Sequence, residues 1–163
     1  MQTSAQGIAA LEAEEGVVLR AYRDVVGVWT IGAGLTAASG VVVPKAGMVI
    51  TKAEATNLLQ RALRENYEPA VSVAMSKVAG AQVTRPKQHE FDAGVSFHFN
   101  TGAIRKASWV RKWLAGASHH DVRAALKLWN RGGGKVLPGL ERRRAREAAM
   151  LLEGVYYLSH PDT

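Results

Sequence analysis

Between Val17 and Val43 the chain stops reading as helix, and this change of period restricts the fold more than any other feature. Leu19–Asp24 (LRAYRD) alternates, Val28–Ile31 (VWTI) is β-prone, and glycines 27, 32, 34 and 40 punctuate the stretch. The pattern predicts two or three short strands joined by turns. Both flanks read as helix. Ser4 caps a first helix with apolar positions Ile8, Ala9 and Leu11 and a stop at Gly16. After a loop marked by Pro44 and Gly47, Thr51-Lys52-Ala53-Glu54 forms a capping box. The helix it opens runs through Leu58, Leu59, Leu63 and Tyr67, with a kink or break at Pro69 and more helix to about Val78. A loop follows.

Thr84-Arg85-Pro86 predicts another helix start, carrying Phe91, Val95 and Phe99 and ending at Asn100-Thr101-Gly102. Ser108 begins a short helix with Trp109, Trp113 and Leu114. Ser118 and Asp121 frame the next, with Val122, Ala125, Leu126 and Trp129. Residues 131–139 (RGGGKVLPG) read as a flexible loop, and Leu140–Leu152 as a basic final helix stopped by Gly154. The class is α+β within one domain spanning 1–163. A β-bearing lobe covers about 13–50, a linking helical region about 51–80 and a helical lobe about 84–155.

The 163 residues suffice for one packed core. With no cysteine, disulfides, thiolate catalysis and cysteine-based zinc sites are excluded. His119 and His120 are neighbours that diverge on a helix, and His89 and His98 lack ligand spacing, so no metal site is expected. Gly132-Gly133-Gly134-Lys135 lacks the flanking pattern of a phosphate loop, and no cofactor is expected. The amino terminus shows neither a basic start nor an apolar run, so no export signal or membrane anchor is read there. Twenty-one Lys plus Arg against 14 Asp plus Glu give a net charge of +7, which draws a protein to polyanions: nucleic acid, anionic lipid or an acidic wall polymer.

In and beside the β-bearing stretch, Glu14 and Glu15 stand at a helix end, Asp24 before a turn and Thr30 in a strand. Two carboxylates beside a small β element suit acid–base hydrolysis of a glycosidic bond. The ordinary readings are a surface carboxylate, a turn residue and a β-branched strand residue.

The wider pattern resembles the phage-type lysozymes, glycoside hydrolase family 24. Its front block is Glu15-Gly16, Ala21-Tyr22-Arg23-Asp24, Gly27–Gly32 and Gly34. A second is Ser96-Phe97-His98-Phe99-Asn100-Thr101-Gly102, and a third is Trp129-Asn130 with Gly133–Leu140 and the arginines that follow. Together they cover Ile8 to Glu153 in the family's order. The resemblance implies a lysozyme-like fold, its lobes joined by a long helix, and an endolysin muramidase cutting the β-1,4 bond between N-acetylmuramic acid and N-acetylglucosamine. By the same match Glu15 is the general acid, Asp24 the carboxylate that activates or stabilises, and Thr30 the residue positioning water. The implied chemistry is inverting, for which carboxyl groups stand about 6.5 to 9.5 Å apart. An arginine from the last helix is expected to meet Glu15. Arg142 is favoured over Arg143 and Arg144, the rest of the run being a solvated cationic face. Asn100 and Thr101 are substrate-contact candidates, and Phe97, Phe99, Trp109, Trp113 and Trp129 are expected in the core. Leu35 departs from the histidine many relatives carry.

The implied partner is bacterial peptidoglycan, with anionic envelope lipids a further one and a holin needed for access. The protein is expected to be a monomer held in the host cytoplasm before release, with no nucleic-acid partner, since the specific motifs are acidic and glycine-rich. Rival readings are a non-catalytic wall-binding module and membrane disruption by the cationic final helix.

Overall fold

The computed structural model describes residues 1–159. Helix α1 (Ala5–Glu15) starts at Ser4, whose hydroxyl accepts from the Gly7 amide. It stops at Gly16, whose φ of 70° only glycine adopts cheaply and whose N–H donates to the Glu12 carbonyl. Glu15 is therefore the last residue of the helix. Strands β1 (Val18–Arg23) and β2 (Trp29–Gly32) then pair antiparallel, with Tyr22 opposite Thr30 and Arg23 opposite Trp29. Single bridges join Arg20 to Val49 and Ile31 to Leu35, which completes the small β region. A one-turn 3-10 helix occupies Ala37–Ser39.

Helix α2 (Lys52–Asn66) is capped by Thr51, and its last turn breaks at Tyr67, where α3 (Glu68–Met75) begins with Pro69 in its first turn. A proline is tolerated there because the N–H it lacks would have no helical acceptor. After α3 the helix expected to reach Val78 gives way to a hairpin, β3 (Lys77–Ala79) with β4 (Gln82–Thr84). Thr84 accordingly ends a strand, and α4 (Gln88–Thr101) starts after Lys87, whose backbone N–H donates to the Glu90 carboxylate. Helices α5 (Ser108–Leu114) and α6 (His119–Lys127) follow. The glycine loop is a second unforeseen hairpin, β5 (Arg131–Gly132) with β6 (Lys135–Val136). Gly133 and Gly134 both have positive φ, as a two-residue turn joining strands of native twist requires. Helix α7 (Pro138–Glu153) ends at left-handed Gly154.

The main apolar core lies among the helices and includes Leu11, Leu59, Leu63, Phe91, Phe97, Ile104, Trp109, Leu126 and Leu151. Phe97 meets Trp109 and Trp129 edge-on, with ring centroids 5.3 and 5.5 Å apart. Trp113, Trp129 and Phe99 are partly buried against this core. A smaller cluster of Ile31, Ile50 and Ala55 packs β2 on α2, and Val17 touches both clusters at the seam. Helix α1 lies close to α4: a Cβ on Gly7 would come within 2.6 Å of the Asp92 carboxyl carbon.

Candidate active site

The end of α1 presents two adjacent glutamates, and their surroundings separate them. Glu14 receives a two-pronged contact from Arg146 of α7, Nε to Oε1 at 2.7 Å and Nη2 to Oε2 at 3.1 Å. Its side chain is 8% exposed. Glu15 receives one hydrogen bond, from Arg143 Nη1 to Oε1 at 2.6 Å, and its side chain is 21% exposed. Among the described residues no hydrogen bond is made to Glu15 Oε2. Glu14 is therefore locked on both oxygens, whereas Glu15 keeps one to offer.

The arginine on Glu15 is Arg143, not the favoured Arg142, which is exposed and lines a groove with Arg123, Lys127 and Glu141. Helical geometry gives the reason. The buried stripe of α7 includes Leu151, Ala148, Glu147 and Arg144, spaced three or four apart, with Arg143 beside it on the same side. Arg142 is turned away from that stripe. The arginine run is thus not a solvated face: Arg143 and Arg144 are 6% and 1% exposed, and Arg146 is occupied by Glu14.

Behind the Glu15 contact lies a charge network that sequence reading passed over. Arg143 Nε donates to Glu147 Oε2 at 3.4 Å, and its Nη2 donates to the Ser96 carbonyl at 3.2 Å. Glu147 is 2% exposed and also accepts from Ser96 Oγ at 2.6 Å and from Arg144 Nη2 at 3.3 Å. Its Oε1 lies 2.7 Å from Arg144 Nε, an ion-pair contact without hydrogen-bond alignment. Burial works against the charge of Arg143, but Glu147, Glu15 and Glu14 outweigh it and hold the guanidinium above its ordinary range. Burial pushes the Glu147 carboxyl up against the pull of Arg144 and Arg143. The spacing of Arg143, Arg144 and Glu147 against Ala148 and Leu151 was the available signal.

Asp24 opens the β1–β2 turn. Its Oδ1 accepts from the Val26 and Val28 amides at 3.0 and 2.8 Å, and its own N–H donates to the Val28 carbonyl. Turn-making and chemistry do not compete, because these bonds fix the carboxylate's direction. Thr30, 4% exposed, donates its hydroxyl to the Val28 carbonyl at 2.9 Å. It can therefore act on a water only as an acceptor.

The substrate-contact candidates fare differently. Asn100 is exposed, and its Oδ1 accepts from Arg144 Nη2 at 2.7 Å, which ties the end of α4 to the network. Thr101 uses its hydroxyl locally, donating to the Phe97 carbonyl and accepting from the Ala103 amide. A depression of about 270 Å³ lies beside the β region, lined by Gly34, Leu35, Thr36, Asn66, Tyr67 and Phe99. Burial and the nearby Glu15 charge both raise the Tyr67 phenol, which puts Glu15 and this depression within electrostatic reach.

The phage lysozyme family model matches residues 12–147, from α1 to the Glu147 network. The chain belongs to the phage lysozyme family. It is 35% identical over 158 residues to an endolysin of Bacillus phage PZA, covering 94% of this chain and 56% of that protein. To the endolysin of Salmonella phage P22 it is 34% identical over 153 residues, covering 93% and 99%. The chain thus spans little more than half of the first relative and nearly all of the second. The endolysin of Escherichia coli phage FAHEc1 has the same fold, with a TM-score of 0.78 at 33% identity over 96% of this chain and 97% of that one. Leu35, where the resemblance leads to a histidine, lies in a packed position. It is 4% exposed, trades two backbone hydrogen bonds with Ile31 and forms part of the depression wall.

Proposed function

We propose that this chain is an endolysin muramidase that hydrolyses the β-1,4 bond between N-acetylmuramic acid and N-acetylglucosamine. The observation that carries the reading is the asymmetry at the end of α1: Glu14 is held by both oxygens, Glu15 by one. Glu15 protonates the leaving glycosidic oxygen. Asp24 accepts a proton from a water on the opposite sugar face, and Thr30 Oγ1 accepts that water's second hydrogen, so a lone pair points at the anomeric carbon. A single displacement of this kind inverts the anomeric configuration. Asn100 contacts substrate with its amide nitrogen, while its oxygen stays on Arg144.

Among the described residues no helix is long and apolar enough to cross a membrane. The protein acts as a monomer, accumulates in the host cytoplasm and reaches the wall through a holin. The occupied state of Arg143, Arg144 and Arg146 counts against membrane disruption by α7. The test is release of reducing ends from purified peptidoglycan by the wild type and by Glu15→Gln. We expect loss of at least about a hundredfold on substitution. Wild-type activity in Glu15→Gln would remove the acid assignment, and 1,6-anhydro products would replace hydrolysis by transglycosylation.

A further inference from the structure

A guanidinium facing a general acid is a liability, because a full positive charge favours the ionised carboxylate that has no proton to give. Arg143 is nevertheless in contact with Glu15, and the structure shows how its charge is divided. The side edge of the guanidinium, Nε with Nη2, is the edge that grips a carboxylate with two parallel bonds. Here that edge is taken by Glu147 Oε2 and the Ser96 carbonyl, so only Nη1 reaches Glu15. The charged and titratable groups around this contact are Glu14 from α1, Arg144, Arg146 and Glu147 from α7, and Tyr67 from the α2–α3 junction. Helix α4 contributes the neutral Ser96 and Asn100, and beyond Tyr67 the His98 ring, which meets that phenol edge-on and is held below its ordinary range by burial and Arg105. Glu14 is held on both oxygens by Arg146 and stays 4.0 Å from Arg143 Nε, whereas Glu147, although also contacted by Arg144, accepts a hydrogen bond from Arg143 Nε at 3.4 Å, so Glu147 is the carboxylate that competes with Glu15 for Arg143.

We propose that Glu147 is a positioning residue for the general acid, holding Arg143 end-on to Glu15 and taking up part of its charge, so that the guanidinium does less to strip the acid of its proton. The inference rests on the hydrolase reading above. This role needs the ionised form of Glu147, which two guanidiniums and the Ser96 hydroxyl favour against the burial that raises its carboxyl. Ser96 serves both partners: its hydroxyl donates to Glu147 and its carbonyl accepts from Arg143, which fixes their mutual position.

The test is the pH profile of kcat/KM on purified peptidoglycan for Glu147→Gln, together with its thermal melt. The amide keeps the size and an acceptor for Ser96 but removes the charge. Arg143 then acts undivided on Glu15, and the alkaline limb of the profile should move to lower pH by about one unit. A folded Glu147→Gln protein whose limb stays in place, with only a lower melting temperature or a uniformly lower rate, overturns the proposal. Should the glutamine variant not fold, Glu147→Asp is read the same way: it keeps the charge but draws it back from Arg143 by one methylene. It should move the limb in the same direction by less. An unmoved limb in folded Glu147→Asp is equally fatal. The two readings fail separately. If the wild type releases no reducing ends, the hydrolase assignment is lost, while a 13C titration of the Glu15 carboxyl still reports whether Glu147→Gln makes that group easier to ionise.

Discussion

Removing the Arg143 guanidinium would leave Glu14, Glu15 and Glu147 facing one another with little water to screen them, which is why this side chain matters more than its neighbours. Breaking a buried pair by deleting one partner costs about 3–5 kcal/mol, and Arg143→Ala should lower stability by that order in urea denaturation at pH 7. Arg142→Ala, at an exposed position one residue away, should change it by no more than about 1 kcal/mol, the usual worth of a surface contact. The same contrast explains what sequence could show at this scale. The places of Glu15, Asp24 and Thr30 were legible because a helix stop, a turn and a strand fix them within a short segment, while the roles proposed for them come from the family resemblance. The arginine was not, because choosing among three consecutive residues needs the rotation of α7 about its axis. Thr30→Val gives a second expectation. The valine keeps the shape of the strand but loses the lone pairs proposed to hold the water, so kcat should fall about a hundredfold with KM little changed. A fall confined to KM would place Thr30 in binding instead.

At the scale of elements, α1 matters because its last residue is Glu15, and its first turn is fastened by two buried carboxylates. Glu68 of α3 accepts from the Thr3 amide and hydroxyl at 2.8 and 2.6 Å. Asp92 of α4 accepts from the Ser4 amide, the Ser4 hydroxyl, Gln88 and the Tyr156 phenol. Burial, with the hydrogen bond to Asp92, pushes the Tyr156 phenol up to about 12. The sign follows directly. An unfolded tyrosine loses its proton near pH 10, so the folded state holds the proton more tightly, and stability is lost as pH rises from about 10 to about 12. The melting temperature should drop across that window, and Tyr156→Phe should flatten the drop while lowering the plateau below pH 9. An identical slope in the variant would mean that another group governs alkaline unfolding. Every α-helix among the described residues was foreseen from caps and apolar spacing, although α4 begins two residues beyond Pro86 and the one-turn 3-10 helix at Ala37–Ser39 was not foreseen. Both late hairpins were missed. Strands of two and three residues carry too little alternation to register, and only the glycines at their turns, Gly80 and the Gly133-Gly134 pair, announced them.

For the whole molecule, the net charge of +7 is less informative than where the charge lies. Arg143, Arg144 and Arg146 are balanced inside by Glu14, Glu15 and Glu147, and so contribute little to the outward field. The segment 103–120, from the end of α4 through α5, carries Arg105, Lys106, Arg111 and Lys112, all exposed, and no acidic residue. Burial and the charge of Arg105 together lower the nearby His98 imidazole, so that ring adds no positive charge at neutral pH. Retention on an anionic wall should accordingly depend on α5 rather than on the final helix. Charge reversal at Arg111 and Lys112 should weaken adsorption to peptidoglycan sacculi several-fold at low ionic strength, where the Debye length is about 30 Å. The difference should vanish by about 0.5 M salt, and the melting temperature should fall only slightly, through the loss of the exposed Arg111 hydrogen bond to the Lys106 carbonyl and of cations in the last turn of α5. Equal weakening at all salt concentrations would mean that α5 meets the wall through short-range contacts instead of its field. Under these proposals, attraction to the wall and acid chemistry would fall to different cations of one basic chain: the exposed Arg105, Lys106, Arg111 and Lys112 in and just before α5, and the buried arginines of α7.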